Sequence, residues 1–437
     1  MTSVEIVNSS HLRSTDTPRY LSSSSADNIK HMMHFSDVHL RLAESLDITE
    51  SENIPFAYGA DATVTLLNSA LGYAKALIPD PDFFLYTGDH VAHASQLEVG
   101  ELSKEYVAGT LKANVEIMSR YYTTNFKVST LMGNADITPD YTMEVTDPAI
   151  EVNPSIKLIS GVWQNALSAS SLDWFNRRGY LSYDLDEKLV ILTLNTVPYS
   201  PRHSPDANMV DPFDQFAWLN ETLLGLRYSG KVAYIVGHIP PIVDSYSGAQ
   251  MWEPSYITAY KSIVSKYADI IKAQFFGHVH SIEFRVPTPA EQHAQEEAGG
   301  VDLVPLFMSA AISPIFYNNP AFMVWDFDAT TYEVLDFIVY GTNISSDSQE
   351  LNWHPIFKAS TEYGVSLLQT SELNGFVERA AADPTLLDQY HFNSVAHSYL
   401  RPPCVDATCQ SKLLCTLHWW TTSEEYQSCV SGQGPQS

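Results

Sequence analysis

Seven residues of metal-binding type recur in this chain at one kind of place: Asp37 and His39, Asp89, Asn134, His238, and His278 with His280. Each follows a short apolar run that reads as a buried strand, over residues 31–36, 82–87, 127–132, 231–236 and 272–276. Between the runs lie stretches with apolar residues three and four apart. Val64, Leu67, Leu71, Ala74 and Ile78 form one; Leu111, Val115, Met118 and Tyr122 a second; Phe216, Leu219, Leu223 and Leu226 a third. Tyr256, Tyr260, Ile263, Tyr267 and Ile270 form the fourth. That spacing gives each stretch one apolar helical face. Strands alternating with helices restrict the chain to a layered α/β fold, in which loops at the carboxyl ends of the strands converge on one edge. Residues more than two hundred positions apart can meet there.

The residue types suit a pair of divalent cations. Asp89, in Thr87-Gly88-Asp89, is the expected bridging carboxylate, because Gly88 lets the backbone turn closely beneath it. Asp37, His39 and His280 would complete one site, and Asn134, His238 and His278 the other. Mixed imidazole, carboxylate and amide ligation fits zinc, manganese or iron, not calcium, and zinc is the first choice. Two such ions about 3.5 to 4 Å apart clamp phosphoryl oxygens and acidify a water, so the pattern points to phosphoester hydrolysis. One Asp-X-His or Gly-His alone is more often a turn; the ordered set of five motifs carries the reading. His203, His293, His354 and His391 are read as surface or packing residues.

The longer motifs carry a resemblance. Thr87-Gly88-Asp89-His90-Val91-Ala92-His93, Gly237-His238-Ile239-Pro240-Pro241, and residues 273–280 followed by Glu283-Phe284 resemble the calcineurin-like metallophosphoesterases. Within them the chain resembles the acid sphingomyelinase family, including the acid sphingomyelinase-like phosphodiesterases, from about Lys30 into the C-terminus. The resemblance implies a layered β-sandwich flanked by helices and a zinc-dependent phosphodiesterase. In that family sphingomyelin is cleaved to phosphocholine and ceramide through attack by a metal-bridging hydroxide. One position departs: the usual Gly-Asn-His-Asp or Gly-Asn-His-Glu reads Gly133-Asn134-Ala135-Asp136, and Ala135 has no proton to give. His93, four residues beyond Asp89, is expected to act as the acid, with His90 and Asp136 behind it. The variant motif, followed by Pro139-Asp140-Tyr141, is also reminiscent of endopolyphosphatases. A nucleotide phosphodiesterase and a slow, phosphate-binding relative complete the alternatives.

Charge narrows the partners. A net charge of −27, from 51 acids against 24 bases, argues against a nucleic-acid-binding surface and leaves a lipid or small soluble phosphodiester as the expected partner. No run of eighteen apolar residues predicts a transmembrane helix, and a monomer is expected.

We divide the chain into a flexible polar head (1–29), a catalytic domain (30–342) and a helical C-terminal subdomain (343–437). Loops 197–212 and 287–302 are expected to line the substrate mouth, residues 322–340 form a hairpin, and residues 353–399 read as helical. Aromatic residues Tyr246, Trp252, Tyr256, Phe316 and Tyr317 could stack on a base, enclose a quaternary ammonium, or fill the core.

All four cysteines, Cys404, Cys409, Cys415 and Cys429, fall near the C-terminus. Four allow three disulfide connectivities; a structural zinc site, lacking any Cys-X-X-Cys, and free thiols are the alternatives. The resemblance implies Cys404 with Cys409 and Cys415 with Cys429. Disulfides place the protein outside the cytosol, in a secreted or lysosomal-type lumen, and sequons at Asn220 and Asn343 are glycosylation candidates, with a third at Asn8 in the polar head. The first thirty residues lack a signal peptide's apolar run, so Met1 is read as a truncated or reannotated start.

Overall fold

The structure, a computed structural model, describes residues 28–122, 130–207, 209–297, 300–344 and 351–432. Among them eleven strands form two sheets. The strands are β1 Ile29–Phe35, β2 Phe83–Tyr86, β3 Leu181–Asp184, β4 Leu189–Thr193, β5 Val232–Val236 and β6 Ile271–Phe276. They continue with β7 Glu283–Arg285, β8 Leu306–Met308, β9 Ala321–Asp328, β10 Val334–Gly341 and β11 His354–Lys358. One sheet has the order β11-β10-β9-β1-β2, the other β3-β4-β5-β6-β8-β7. The pairs β1/β2 and β5/β6 are parallel, so their carboxyl ends point one way.

The continuous apolar runs explain the layering. Successive side chains on a strand face opposite ways, and a strand covered on both sides needs apolar residues at every position. Met32, Phe83 and Leu85 turn inward against Ile191, Tyr234, Val236 and Phe275 of the second sheet. Their neighbours Met33, Phe84 and Tyr86 turn outward under the helices Val64–Leu77 and Lys104–Tyr121. On the far side, Ala233, Ile235 and Phe276 pack beneath the helices Gln215–Ser229 and Pro254–Lys266. The result is the expected β-sandwich between helical layers, and the four predicted helices and the hairpin of β9 and β10 are all present.

Three expectations are corrected. Residues 130–132, expected to be a strand, have no ladder partner among the described residues, and residues 127–129 lie outside them. Leu131 is buried between the sheets and Met132 under the helices, so the apolar run reported burial without strand pairing. The loop 287–302 contains a helix, Pro289–Glu297. Most significantly, the C-terminal segment expected to be helical opens with β11, which pairs antiparallel with β10 at the edge of the first sheet. The helices that follow pack on the catalytic layers, where Tyr363, Phe376 and Tyr390 share one aromatic cluster with Phe284 of β7.

Both disulfides have the pairing the resemblance implies, Cys404–Cys409 and Cys415–Cys429. The segment between Cys415 and Cys429 braces the catalytic layers. Trp419 Nε1 donates to Pro241 O at 2.6 Å, three residues beyond His238, and Gln250 Nε2 donates to Thr421 O at 2.9 Å. Buried Lys261, on the helix Pro254–Lys266, reaches Glu291 at 2.8 Å and Thr421 Oγ1 at 3.1 Å. No helix of the described residues is long and apolar enough to cross a membrane.

Candidate metal centre

All seven candidate ligands meet at the carboxyl ends of β1, β2, β5 and β6. Asp37, His39, Asp89, His278 and His280 take left-handed backbone conformations, with φ between 47 and 71°. Such conformations are uncommon outside glycine and cluster where function holds them. The backbone is drawn tight around them. A side chain at Gly133 would place its Cβ 2.0 Å from Asp89 Oδ1, and one at Gly88, where φ is +94°, would come within 2.8 Å of Gly133 N.

The donor atoms converge in two groups, Asp37/His39/His280 and Asp89/His238/His278, each with its ligand atoms within 4.8 Å of one another. Asp89 joins the groups. Its Oδ2 lies 3.4 Å from His39 Nε2 and 3.1 Å from His238 Nε2, while its Oδ1 accepts from Ala135 N at 2.8 Å. Asn134 Oδ1 stands 3.1 Å from His238 Nε2.

The chain itself sets which atoms face inward. His39 Nδ1 lies 2.9 Å from Val91 O and His238 Nδ1 2.7 Å from Thr87 O. A carbonyl can only accept, so both Nδ1 atoms carry a proton, and in the neutral ring each Nε2 turns its lone pair to the centre. The carboxylate of Asp140 accepts from Asn134 Nδ2 at 2.9 Å and so turns the amide oxygen inward. Ring nitrogens of the two groups therefore crowd together, with His39 Nε2 and His280 Nε2 3.1 Å apart and His238 Nε2 and His278 Nδ1 3.3 Å apart. Donor atoms about 2.1 Å from one tetrahedral cation stand about 3.4 Å apart. The spacing fits cations, and so does the chemistry of the donor set.

A relay of hydrogen bonds supports Asp37 from behind. Trp325 Nε1 donates to His34 Nδ1 at 3.2 Å, so His34 Nε2 donates to Thr87 Oγ1 at 3.0 Å. Thr87 then donates to Ser36 at 2.5 Å, and Ser36 to Asp37 Oδ2. Burial holds His34 neutral by lowering its pKa to about 3, which keeps the direction of the relay fixed. Burial raises the Asp37 carboxyl to about 7, with the charge of Asp89 adding to the effect. It drives His39, His278 and His280 well below the usual range. For His238 burial is outweighed by the charge and hydrogen bond of Asp89, which raise it to about 9.

The acid candidates separate clearly. Asp136 is fully buried, and its oxygens accept from the backbone N–H groups of Asp89, His90, Val91 and Gly133 and from His90 Nδ1. Burial opposes its ionisation, but the charge and hydrogen bond of His90 win and lower its pKa. It shapes the Asp89 loop and has no surface open to substrate, which corrects its expected place among the acids; His90, its partner, is likewise buried. His93 is different. Its side chain keeps 25% of its surface exposed, and its ring stacks on His39 with centroids 4.0 Å apart. It borders a hollow lined also by Ala92, Leu102, Ala135, Thr138 and Asp140.

Asp61, three residues ahead of the helix Val64–Leu77, is absent from the sequence-level candidates and stands behind His93. It is fully buried, with Oδ2 accepting from His93 N at 2.7 Å and both oxygens 3.1 Å from His93 Nδ1; Ser313 Oγ donates to Oδ1 at 2.9 Å. Burial alone would lower the pKa of His93, but the hydrogen bond and charge of Asp61 outweigh it and raise the pKa. His39, Asp61 and His93 also form a third converging group. A carboxylate ahead of an amphipathic helix looks like ordinary capping, and nothing local marked it as a partner of His93, thirty-two residues on.

At the mouth, Arg202 of the loop 197–212 donates to Tyr141 OH at 3.3 Å, and Tyr141 OH lies 3.3 Å from His278 Nε2. Of the aromatic candidates, Trp252 and Tyr256 are core residues packed on Tyr199, whereas Tyr246, Phe316 and Tyr317 are exposed. His203 is buried, with Nε2 donating to Met143 O at 2.7 Å. Asn343 is exposed, while Asn220 is half-buried and accepts from Tyr267 OH at 3.1 Å; Asn8 lies outside the described residues.

A two-layered α/β sandwich with two facing His/Asp groups at its strand ends defines a metallophosphoesterase. The chain belongs to the calcineurin-like phosphoesterase family, whose model matches residues 30–281. Sphingomyelinase phosphodiesterase D of Dictyostelium discoideum is 28% identical over 381 residues, which cover 83% of this chain and 81% of the relative. Human acid sphingomyelinase-like phosphodiesterase 3b is 27% identical, covering 86% of this chain and 82% of its own. Human cyclic GMP-AMP phosphodiesterase SMPDL3A is 24% identical, with coverage of 88% and 84%.

Proposed function

We propose that this protein is a dinuclear, zinc-dependent phosphodiesterase that cleaves sphingomyelin to phosphocholine and ceramide. The observation that carries the reading is Asp89 Oδ2, placed 3.4 and 3.1 Å from one histidine of each ligand group. Asp37, His39 and His280 would hold one ion, Asn134, His238 and His278 the other, and Asp89 both. Bound there, the ions would supply Lewis-acid activation of a phosphodiester and of the attacking water. His93 faces the same space and donates a proton to the departing oxygen, the task left open at Ala135. Asp61 holds the His93 ring by Nδ1, which leaves Nε2 as the nitrogen free to serve the reaction. Asp136 keeps the loop of Asp89 in place.

The choice of lipid draws on the names of the relatives and on charge. Two of the three relatives bear sphingomyelinase names, and a net charge of −27 disfavours long polyanions such as polyphosphate. Ala135 favours a second reading, a slow phosphate-binding relative. The disulfides support an extracellular or lumenal setting, with Asn343 the better exposed glycosylation candidate.

The deciding experiment measures phosphocholine release from detergent-dispersed sphingomyelin beside p-nitrophenol release from bis(p-nitrophenyl) phosphate, with zinc-loaded protein and an Asp89→Asn blank. Release of both above the blank is expected. Nitrophenol alone would overturn the lipid substrate, and neither would leave the phosphate-binding reading.

Asp61→Asn tests the support of His93. Loss of the carboxylate should lower kcat on alkoxide-leaving substrates about ten- to hundred-fold with two metals still bound, as for other partners that act through a catalytic group. Unchanged kcat would show that His93 does not depend on Asp61.

A further inference from the structure

Residues 399–405 read Tyr-Leu-Arg-Pro-Pro-Cys-Val, without a carboxylate in a chain that carries 51 acids. Tyr399 is 84% exposed, Leu400 55% and Val405 65%, and beside them Phe316 and Tyr317 expose 46% and 51%. Arg401 Nη1 donates to Phe316 O at 2.9 Å and Ser398 Oγ to Tyr317 O at 2.5 Å, tying the two segments into one ridge. Contiguous exposed apolar side chains mark a surface that something else covers.

The ridge is held firmly. Cys404 is bonded to Cys409, Cys404 N donates to Asp388 Oδ1 at 2.9 Å, and His391 Nε2 donates to Pro402 O at 3.1 Å. The ridge also continues into the metal centre, because the Phe316 ring stands edge-on to His280 with centroids 4.8 Å apart. Whatever covers the ridge therefore lies against the mouth of the site.

The chemistry of the ridge favours a lipid surface over a protein. Tyrosines place an apolar ring below and a hydroxyl at the wet boundary, as interfacial aromatics do. Pro402 and Pro403 have no N–H to strip of water. Arg401 is the only charge of the loop and complements lipid phosphates, while the chain's net −27 repels an anionic membrane. We propose that Phe316, Tyr317, Tyr399, Leu400 and Val405 seat on a zwitterionic phospholipid surface and bring the metal centre to headgroups presented there. This deepens the phosphodiesterase reading and rests on it for the headgroup, but not for the docking itself.

The test is co-sedimentation of the full, metal-loaded chain with phosphatidylcholine vesicles, compared with Tyr399→Ser/Leu400→Ser. Wild type should bind and the variant should bind roughly tenfold more weakly, with hydrolysis of bis(p-nitrophenyl) phosphate equal in the two. If the double variant loses its fold, Leu400→Ser alone, expected to weaken binding in the same direction, decides the matter. Wild type that stays in the supernatant, or a folded variant that binds as wild type does, overturns the proposal. Vesicle binding without any phosphodiester turnover would instead remove the phosphodiesterase reading and leave the docking surface standing.

Discussion

Asp89→Asn is expected to abolish phosphodiester turnover, by at least about a thousandfold, and to lower the bound metal below two ions per chain. The two carboxylate oxygens explain why this isosteric change is so severe. Oδ1 accepts from Ala135 N, and Oδ2 faces the Nε2 atoms of His39 and His238. An amide has one oxygen and one NH₂ for these two places. With the NH₂ toward Ala135, two N–H donors oppose each other; with the NH₂ toward the histidines, the shared anionic ligand is gone. Neither rotamer restores the bridge. Elemental analysis of dialysed protein and nitrophenol release together check the prediction; two retained metals with wild-type turnover would sink the bridging role.

His93→Ala is expected to slow cleavage of substrates with alkoxide leaving groups by about a hundred to ten thousandfold, and cleavage of p-nitrophenyl esters far less. An alkoxide is a strong base that departs poorly without a proton, whereas p-nitrophenolate departs unaided. The dependence on leaving group separates an acid from a residue that merely packs on His39, whose ring lies 4.0 Å away. Loss of packing would disturb the metal site and slow both substrates alike. Equal effects on the two, or retained turnover of both with the metals still bound, would exclude His93 as the acid and leave the hollow at Ala135 without a proton donor.

Most of the layered fold was legible because burial on both faces writes itself into sequence. Runs such as Phe83–Tyr86 are apolar at every position, and the helices repeat apolar residues at three and four. The same signal misled where burial came without pairing, as at residues 130–132, and was too weak for β11, whose pattern in His354–Lys358 is mostly exposed at a sheet edge.

For the site, the sequence by itself determined the kinds of ligand, their order and their place behind strands, because those are local properties of short segments. It left the disulfide pairing open, and only the resemblance pointed to the pairing observed. The tertiary structure alone decided that Asp89 Oδ2 stands between the two groups, that Val91 O and Thr87 O turn the Nε2 atoms of two imidazoles inward, and that Asp61 holds His93 while Asp136 is spent on the backbone. Each depends on where one atom lies relative to a partner distant in the chain, set by packing and strand register, which no segment encodes on its own.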